Sequence, residues 1–73
     1  MRILVINPNT TASMTAKISD AAQAAALEAT EIIAVNPPNG PASIEGYYDE
    51  ALSMPGTIAE VKQHRDVDGI VLA

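Results

Sequence analysis

Three short apolar runs are separated by two longer stretches in which apolar and polar residues recur at helical spacing. The first run, Arg2-Ile3-Leu4-Val5-Ile6-Asn7, is made of branched apolar residues without alternation, the pattern of a strand buried on both faces. Pro8 cannot donate to a strand ladder, so the strand ends before it. Thr10, Thr11 and Ser13 then offer three N-caps for a helix predicted over Ser13 to Glu28. On it, Met14, Ile18, Ala21, Ala22, Ala25 and Ala29 share one face, and Lys17, Asp20, Gln23 and Glu28 take the other.

Glu31 to Val35 repeats the buried-strand pattern and is closed by Asn36-Pro37-Pro38-Asn39-Gly40-Pro41, which is dense in turn residues. Helical spacing resumes near Ser43 or Ile44 and carries Tyr47, Tyr48, Ala51 and Leu52. Pro55 argues against one continuous helix there. The spacing instead predicts a break, with Ser53 as N-cap of a further helix from Gly56 to about His64. Asp68-Gly69 turns into a third strand, Ile70 to Ala73.

The resulting β-α-β-α-β order predicts an α/β fold: a parallel sheet with right-handed crossovers, strand order 2-1-3, and one helical layer on each face. A buried parallel strand with no covering element after it leaves the sheet unfinished. The 73 residues are therefore expected to form part of a longer protein. Size points the same way, since a domain this small buries only about 60% of the surface its unfolded chain exposes. The apolar residues are mostly Ala, Ile, Val and Leu, with no Phe or Trp and two Tyr, which suits a sheet under Ala-rich helices. A self-sufficient miniature core needs more, in aromatics, disulfides or metal.

Charge narrows the partners. Four basic against nine acidic residues give a net charge of −5, too few cations to form a basic face for nucleic acid or an anionic membrane. No apolar run approaches the roughly 20 residues of a membrane span, and none forms a signal-peptide core, so a cytoplasmic protein is expected. With no cysteine, the chain has no disulfide, no thiolate metal site and no thiol nucleophile.

In an open sheet of this order, ligands bind beyond the carboxyl ends of the strands, where the winding reverses. Two loops reach that crevice. Asn7-Pro8-Asn9-Thr10-Thr11 brings amides, hydroxyls and the free N–H groups of a helix start, which suit carboxylates, phosphates or a polarised carbonyl; it also reads as an ordinary capped turn. It matches neither the dinucleotide G-x-G-x-x-G pattern nor a P-loop, and no Asp pair is present for a metal. In the second loop, Ser43 can cap a helix and Gly46 can let backbone approach a ligand. Tyr48 suits ligand contact or packing, while Glu45, Asp49 and Glu50 suit the helix dipole better than acid–base work. His64, the only histidine, falls at a helix end away from the crevice.

Taken together, Ile6-Asn7-Pro8-Asn9-Thr10-Thr11, then Gly40-Pro41-Ala42-Ser43-Ile44-Glu45-Gly46-Tyr47-Tyr48-Asp49-Glu50-Ala51, then Asp68-Gly69-Ile70-Val71-Leu72-Ala73 resemble the start of the aspartate/glutamate/hydantoin racemase family, in its hydantoin and allantoin racemase branch. The resemblance covers the whole chain in order and is strongest in the second motif. It implies that residues 1–73 are the N-terminal portion of the first of two α/β lobes, with the active site between lobes. It further implies proton transfer at the carbon α to a carbonyl by two opposed cysteines, one per lobe, with no metal, flavin or pyridoxal. The first cysteine is expected directly after Ala73, so no catalytic residue lies within this chain, which by itself is expected to be inactive. Substrate contact is carried over to Asn7, Asn9, Thr10, Thr11, Ser43, Ile44 and Tyr48. The implied substrate is a hydantoin, allantoin or amino-acid-like small molecule. Apart from the resemblance, the unprotected sheet edges and uncovered helical layer predict self-association, so a homo-oligomer is expected. Two alternatives stay open: a non-catalytic flavodoxin-like module that binds a small anion or serves assembly, and a decarboxylase or maleate isomerase of the same superfamily.

Overall fold

Runs with branched apolar side chains on both faces are most stable inside a covered sheet. In the computed structural model, which describes Met1–Ala73, the order is β1 (Arg2–Ile6), α1 (Ala12–Ala25), β2 (Glu31–Val35), α2 (Tyr47–Gln63) and β3 (Gly69–Leu72). The strands form one parallel sheet in the order β2-β1-β3, as the alternating pattern predicts. Leu4 of the central strand pairs with Ile33 on one side and Ile70 on the other. Leu4, Val5 and Ile6 are the only buried apolar residues apart from Pro37, so the core is narrow and sits on β1. Outside it, Ile70, Val71 and Leu72 of β3 remain 48%, 50% and 63% exposed.

Helix α1 stops three residues before the predicted Glu28. Ala26 turns to an extended conformation (φ −74°, ψ 148°), and Thr30 N–H closes a turn on the Leu27 carbonyl, so Ala29 lies outside the helix.

The break predicted at Pro55 does not occur: α2 runs through it as one helix. A helix-interior proline ordinarily costs about 3 kcal/mol, because it removes one backbone hydrogen bond and its ring crowds the preceding turn. Here Pro55 and Ala51 lie on the exposed side, so the Ala51 carbonyl left without a donor is on the solvent side of the helix. Ser53 is consequently no N-cap. It is buried within α2, and its hydroxyl donates to the Glu50 carbonyl at 2.6 Å. Nor does Ser43 cap α2, since Gly46 occupies the N-cap position.

The inner side of α2 is small and polar: Ser53, Thr57 and Glu60 are its buried residues, while Tyr47, Leu52, Met54 and Ile58 face outward. Gly56 explains how this side is seated. A Cβ built there would lie 2.7 Å from Pro37 Cβ and 3.1 Å from the Asn39 carbonyl oxygen, so only glycine allows the helix to lie this close to the loop after β2.

The amino edge of the sheet carries the ion pairs. The Arg2 guanidinium bonds the carboxylates of Asp66 and Glu31, the latter at 3.0 Å, and the Arg2 backbone N–H donates to Asp68 Oδ2 at 2.6 Å. The hydrogen bond from Arg2 holds the Asp66 carboxyl below its usual pKa, and the two carboxylates raise that of Arg2. Both groups are exposed, so water and salt screen the pairs strongly. No helix is long and apolar enough to cross a membrane.

Candidate functional site

Parallel pairing brings the carboxyl ends of the three strands together. Ile6 pairs with Val35 and with Leu72, Asn7 N–H donates to the Val35 carbonyl at 2.9 Å, and Ala73 N–H donates to the Ile6 carbonyl at 2.9 Å. Asn7, Asn36 and Ala73 therefore start side by side at one edge, the loops rising from the first two. No charged side chain stands among them, in contrast to the amino edge.

Two successive side-chain turns shape the first loop. Asn7 Oδ1 accepts the Asn9 N–H at 3.3 Å, and Asn9 Oδ1 accepts the Thr11 N–H at 2.9 Å. Asparagine favours such turns because its carbonyl mimics a backbone acceptor two residues on. Asn7 is 2% exposed, and its amide nitrogen also reaches Asn9 Oδ1 at 2.9 Å and Thr15 Oγ1 at 3.1 Å. Asn9 is buried as well, with its amide nitrogen 3.3 Å from Met14 Sδ. The Asn7 and Asn9 side chains thus build the loop from within rather than projecting from it.

Thr11 takes the N-cap position of α1 but caps nothing with its side chain. Its hydroxyl instead donates to the Ala42 carbonyl at 2.7 Å, and Thr10 N–H donates to the Pro41 carbonyl at 3.0 Å. These two bonds tie the first loop to the second, immediately before Ser43. The Ala12 and Ser13 amides at the start of α1 have no acceptor in the chain, as the first N–H groups of a helix do without a side-chain cap, while the Met14 and Thr15 amides both donate to the Thr11 carbonyl. No acidic residue occupies the first turn of α1, so its positive dipole end is unneutralised. By contrast, α2 carries Asp49 and Glu50 in its first turn, and Asp49 Oδ2 accepts the Glu45 N–H at 3.2 Å. That is the dipole-supporting role expected of these acids. The arrangement at α1 can receive a carboxylate or a carbonyl oxygen gaining negative charge.

In the second loop Ser43 is exposed, Ile44 half-buried and Tyr48 76% exposed on the first turn of α2. The structure therefore joins Asn7, Asn9 and Thr11 into one hydrogen-bonded unit, ties Thr10 to Pro41 of the second loop, and sets Ser43 beside them. No hydrogen bond links Ile44 or Tyr48 to that unit. Sequence reasoning missed Thr15 and Asn36, whose side chains connect at 2.7 Å. A signal was present: both paired strands end in Asn-Pro, Asn7-Pro8 and Asn36-Pro37, which the sheet register makes equivalent positions.

An open depression of about 430 Å³ lies elsewhere, lined by Val61, Lys62, His64, Arg65, Val67 and Asp68 beside the start of β3. It faces the amino edge, opposite the candidate site. His64 ends α2 there, its Nδ1 2.9 Å from the Glu60 carbonyl oxygen, as expected for a helix-end residue. No three His, Cys, Asp or Glu side chains converge to hold a metal.

Residues 3–73 match the family model for Asp/Glu/hydantoin racemases. The chain is 56% identical over 75 aligned residues to hydantoin racemase from Pseudomonas sp. (strain NS671), covering all of this chain and 30% of that protein. It is 48% identical to hydantoin racemase from Rhizobium meliloti, covering all of this chain and 31% of that protein. Its backbone matches allantoin racemase from Klebsiella pneumoniae with a TM-score of 0.94 at 47% identity, over all of this chain and 31% of that one. Allantoin racemase from Pseudomonas fluorescens gives the same TM-score at 38% identity, over 32% of its length. The chain thus spans about 30% of the length of the curated relatives it matches. Sequence and backbone agree along its length, and the chain belongs to the aspartate/glutamate/hydantoin racemase family.

Proposed function

We propose that residues 1–73 form the substrate-facing start of the first lobe of a cofactor-independent, hydantoin-type racemase. The observation that carries this reading is the uncharged carboxyl edge, where Ala73 is bonded to Ile6 directly beside the Asn7–Thr11 loop. A cysteine following Ala73 would leave the sheet beside Asn7, where the loop that leads to the open amides of Ala12 and Ser13 begins. One thiolate takes the proton α to the substrate carbonyl, and an opposing thiol from a second lobe returns a proton to the other face. The carbonyl oxygen, charged in the enolate-like state, is stabilised by the α1 amides, whose dipole is already oriented before reaction. This chain has no cysteine, so by itself it performs neither step.

In this reading Thr10, Thr11 and the amides after them face the ring or carboxylate, with Ser43, Ile44 and Tyr48 closing the other side. Asn7 and Asn9 act by holding the loop. The substrate class is a hydantoin or a related ureide ring, the setting is cytoplasmic, and the assembled protein is a homo-oligomer. The exposed apolar strip of Ile70, Val71 and Leu72 supports further structure against β3, since parallel sheets are normally covered on both faces.

A graft tests the site. In it, this chain replaces the matching N-terminal part of the Pseudomonas sp. hydantoin racemase. Tyr48→Ala in the graft is expected to lower kcat/KM for a 5-substituted hydantoin about tenfold or more, the effect of losing one good substrate hydrogen bond. Because Tyr48 is so exposed, the thermal midpoint should hardly move. Unchanged kinetics would remove Tyr48 from the site.

A further inference from the structure

Thr15 stands one turn inside α1, outside the residues assigned to substrate, yet it joins the two site loops. Its hydroxyl accepts from Asn7 Nδ2 at 3.1 Å and donates to Asn36 Oδ1 at 2.7 Å. Asn36 Nδ2 donates in turn to the Pro37 carbonyl at 3.1 Å. A backbone group fixes the direction of this chain of bonds. The Asn9 N–H can only donate, so it selects the oxygen of the Asn7 amide and turns the nitrogen toward Thr15. The single hydroxyl proton of Thr15 has two acceptors in reach, Asn36 Oδ1 at 2.7 Å and the Thr11 carbonyl at 3.4 Å, and the shorter bond goes to Asn36. Turning the Thr15 hydroxyl to the Thr11 carbonyl would leave the half-buried Asn36 Oδ1 without its donor, so the bridge to Asn36 is the better-satisfied arrangement.

The consequences reach both loops. Asn7 sets the turn that holds Asn9, whose own turn delivers Thr11 to the start of α1, and Pro37 is the buried residue against which Gly56 of α2 is seated. We propose that Thr15 and Asn36 are positioning residues: they hold the loop after β1 in register with the loop after β2, and so aim the free α1 amides at the substrate oxygen. This rests on the racemase reading above. Neither residue is catalytic, and both act through Asn7 and Pro37.

Two measurements test the proposal, one of which does not depend on activity. In the active graft, Thr15→Val keeps the branched shape but removes the hydroxyl. It is expected to lower kcat/KM about 10- to 100-fold, mostly in kcat, as misaligned preorganised donors do. Thr15→Ser, which keeps the hydroxyl, should recover most of that loss. In the 73-residue chain itself, hydrogen exchange at the bonded Asn9, Thr10 and Thr11 amides should quicken with Thr15→Val and return to the parent rate with Thr15→Ser. Unaltered exchange with Thr15→Val overturns the proposal, as does an active graft whose kcat/KM ignores that substitution, or a serine variant no better than valine. If the unsubstituted graft is inactive, the racemase reading fails instead, and the exchange rates alone decide whether Thr15 positions the loops.

Discussion

Replacing Asn7 with alanine is expected to cost the chain about 2–4 kcal/mol of stability and to bring the racemase graft close to inactivity. The substitution leaves the buried Asn9 N–H without its acceptor and the Thr15 hydroxyl without its donor. The orphaned Asn9 N–H costs about 1–3 kcal/mol, and the lost bond to the half-buried Thr15 hydroxyl, which keeps Asn36, adds about 1 kcal/mol. The margin for a chain of this length is only about 4–10 kcal/mol at typical stability per residue. Function should suffer more than folding does, because the same turn sets the start of α1. Asn7→Asp separates the two effects. It keeps the acceptor for Asn9 N–H but sets a second acceptor against Asn9 Oδ1 and Thr15. Circular dichroism and urea titration of the chain, with kinetics of the graft, would read both losses. Full activity in Asn7→Ala would mean that the loop does not depend on this side chain.

Leu4→Ala should have the largest effect on the fold. Leu4 is fully buried on the central strand, and with Val5, Ile6 and Pro37 it makes up all of the buried apolar material. Removing a leucine from such a place costs about 3–5 kcal/mol, transfer and cavity together. In a larger domain that loss is survivable; in this narrow core it takes most of the available stability. The expected result is a chain without a cooperative unfolding transition at 25 °C. A sharp transition with a midpoint near that of the parent chain would show that stability comes from contacts outside β1.

What could be read ahead of the structure follows from how local each determinant is. The strands were legible because uninterrupted runs such as Ile3 to Ile6 and Glu31 to Val35 have few other stable arrangements. The order β2-β1-β3 followed from alternation and crossover handedness. Helix α2 was misread at Pro55 because the cost of proline depends on which side of the helix it occupies, and that is a tertiary fact. The polar inner side of α2 was hidden for a similar reason. Ser53 reads as an N-cap until Gly56 is seen against Pro37, which puts Ser53 and Thr57 on the inner side.

The site was legible as two loops but not as a network. Helix-start residues and Asn-Pro turns marked the region, whereas Asn7 looked like a substrate ligand and is buried within the loop. Thr11 looked like a cap, yet its hydroxyl reaches across to Ala42. Such long-range choices of partner leave no periodic trace in the sequence. Only the paired Asn-Pro endings hinted that Asn36 belongs with Asn7.

The most direct test of the racemase reading follows the α-proton. The graft is incubated with a single enantiomer of a 5-substituted hydantoin in deuterium oxide, faster than the uncatalysed exchange of that ring, beside the 73-residue chain alone. The reading predicts loss of optical rotation together with deuterium at the stereocentre for the graft, and neither above background for the chain. A folded graft that binds the hydantoin but exchanges no α-proton would contradict it and leave these loops as a small-anion binding module.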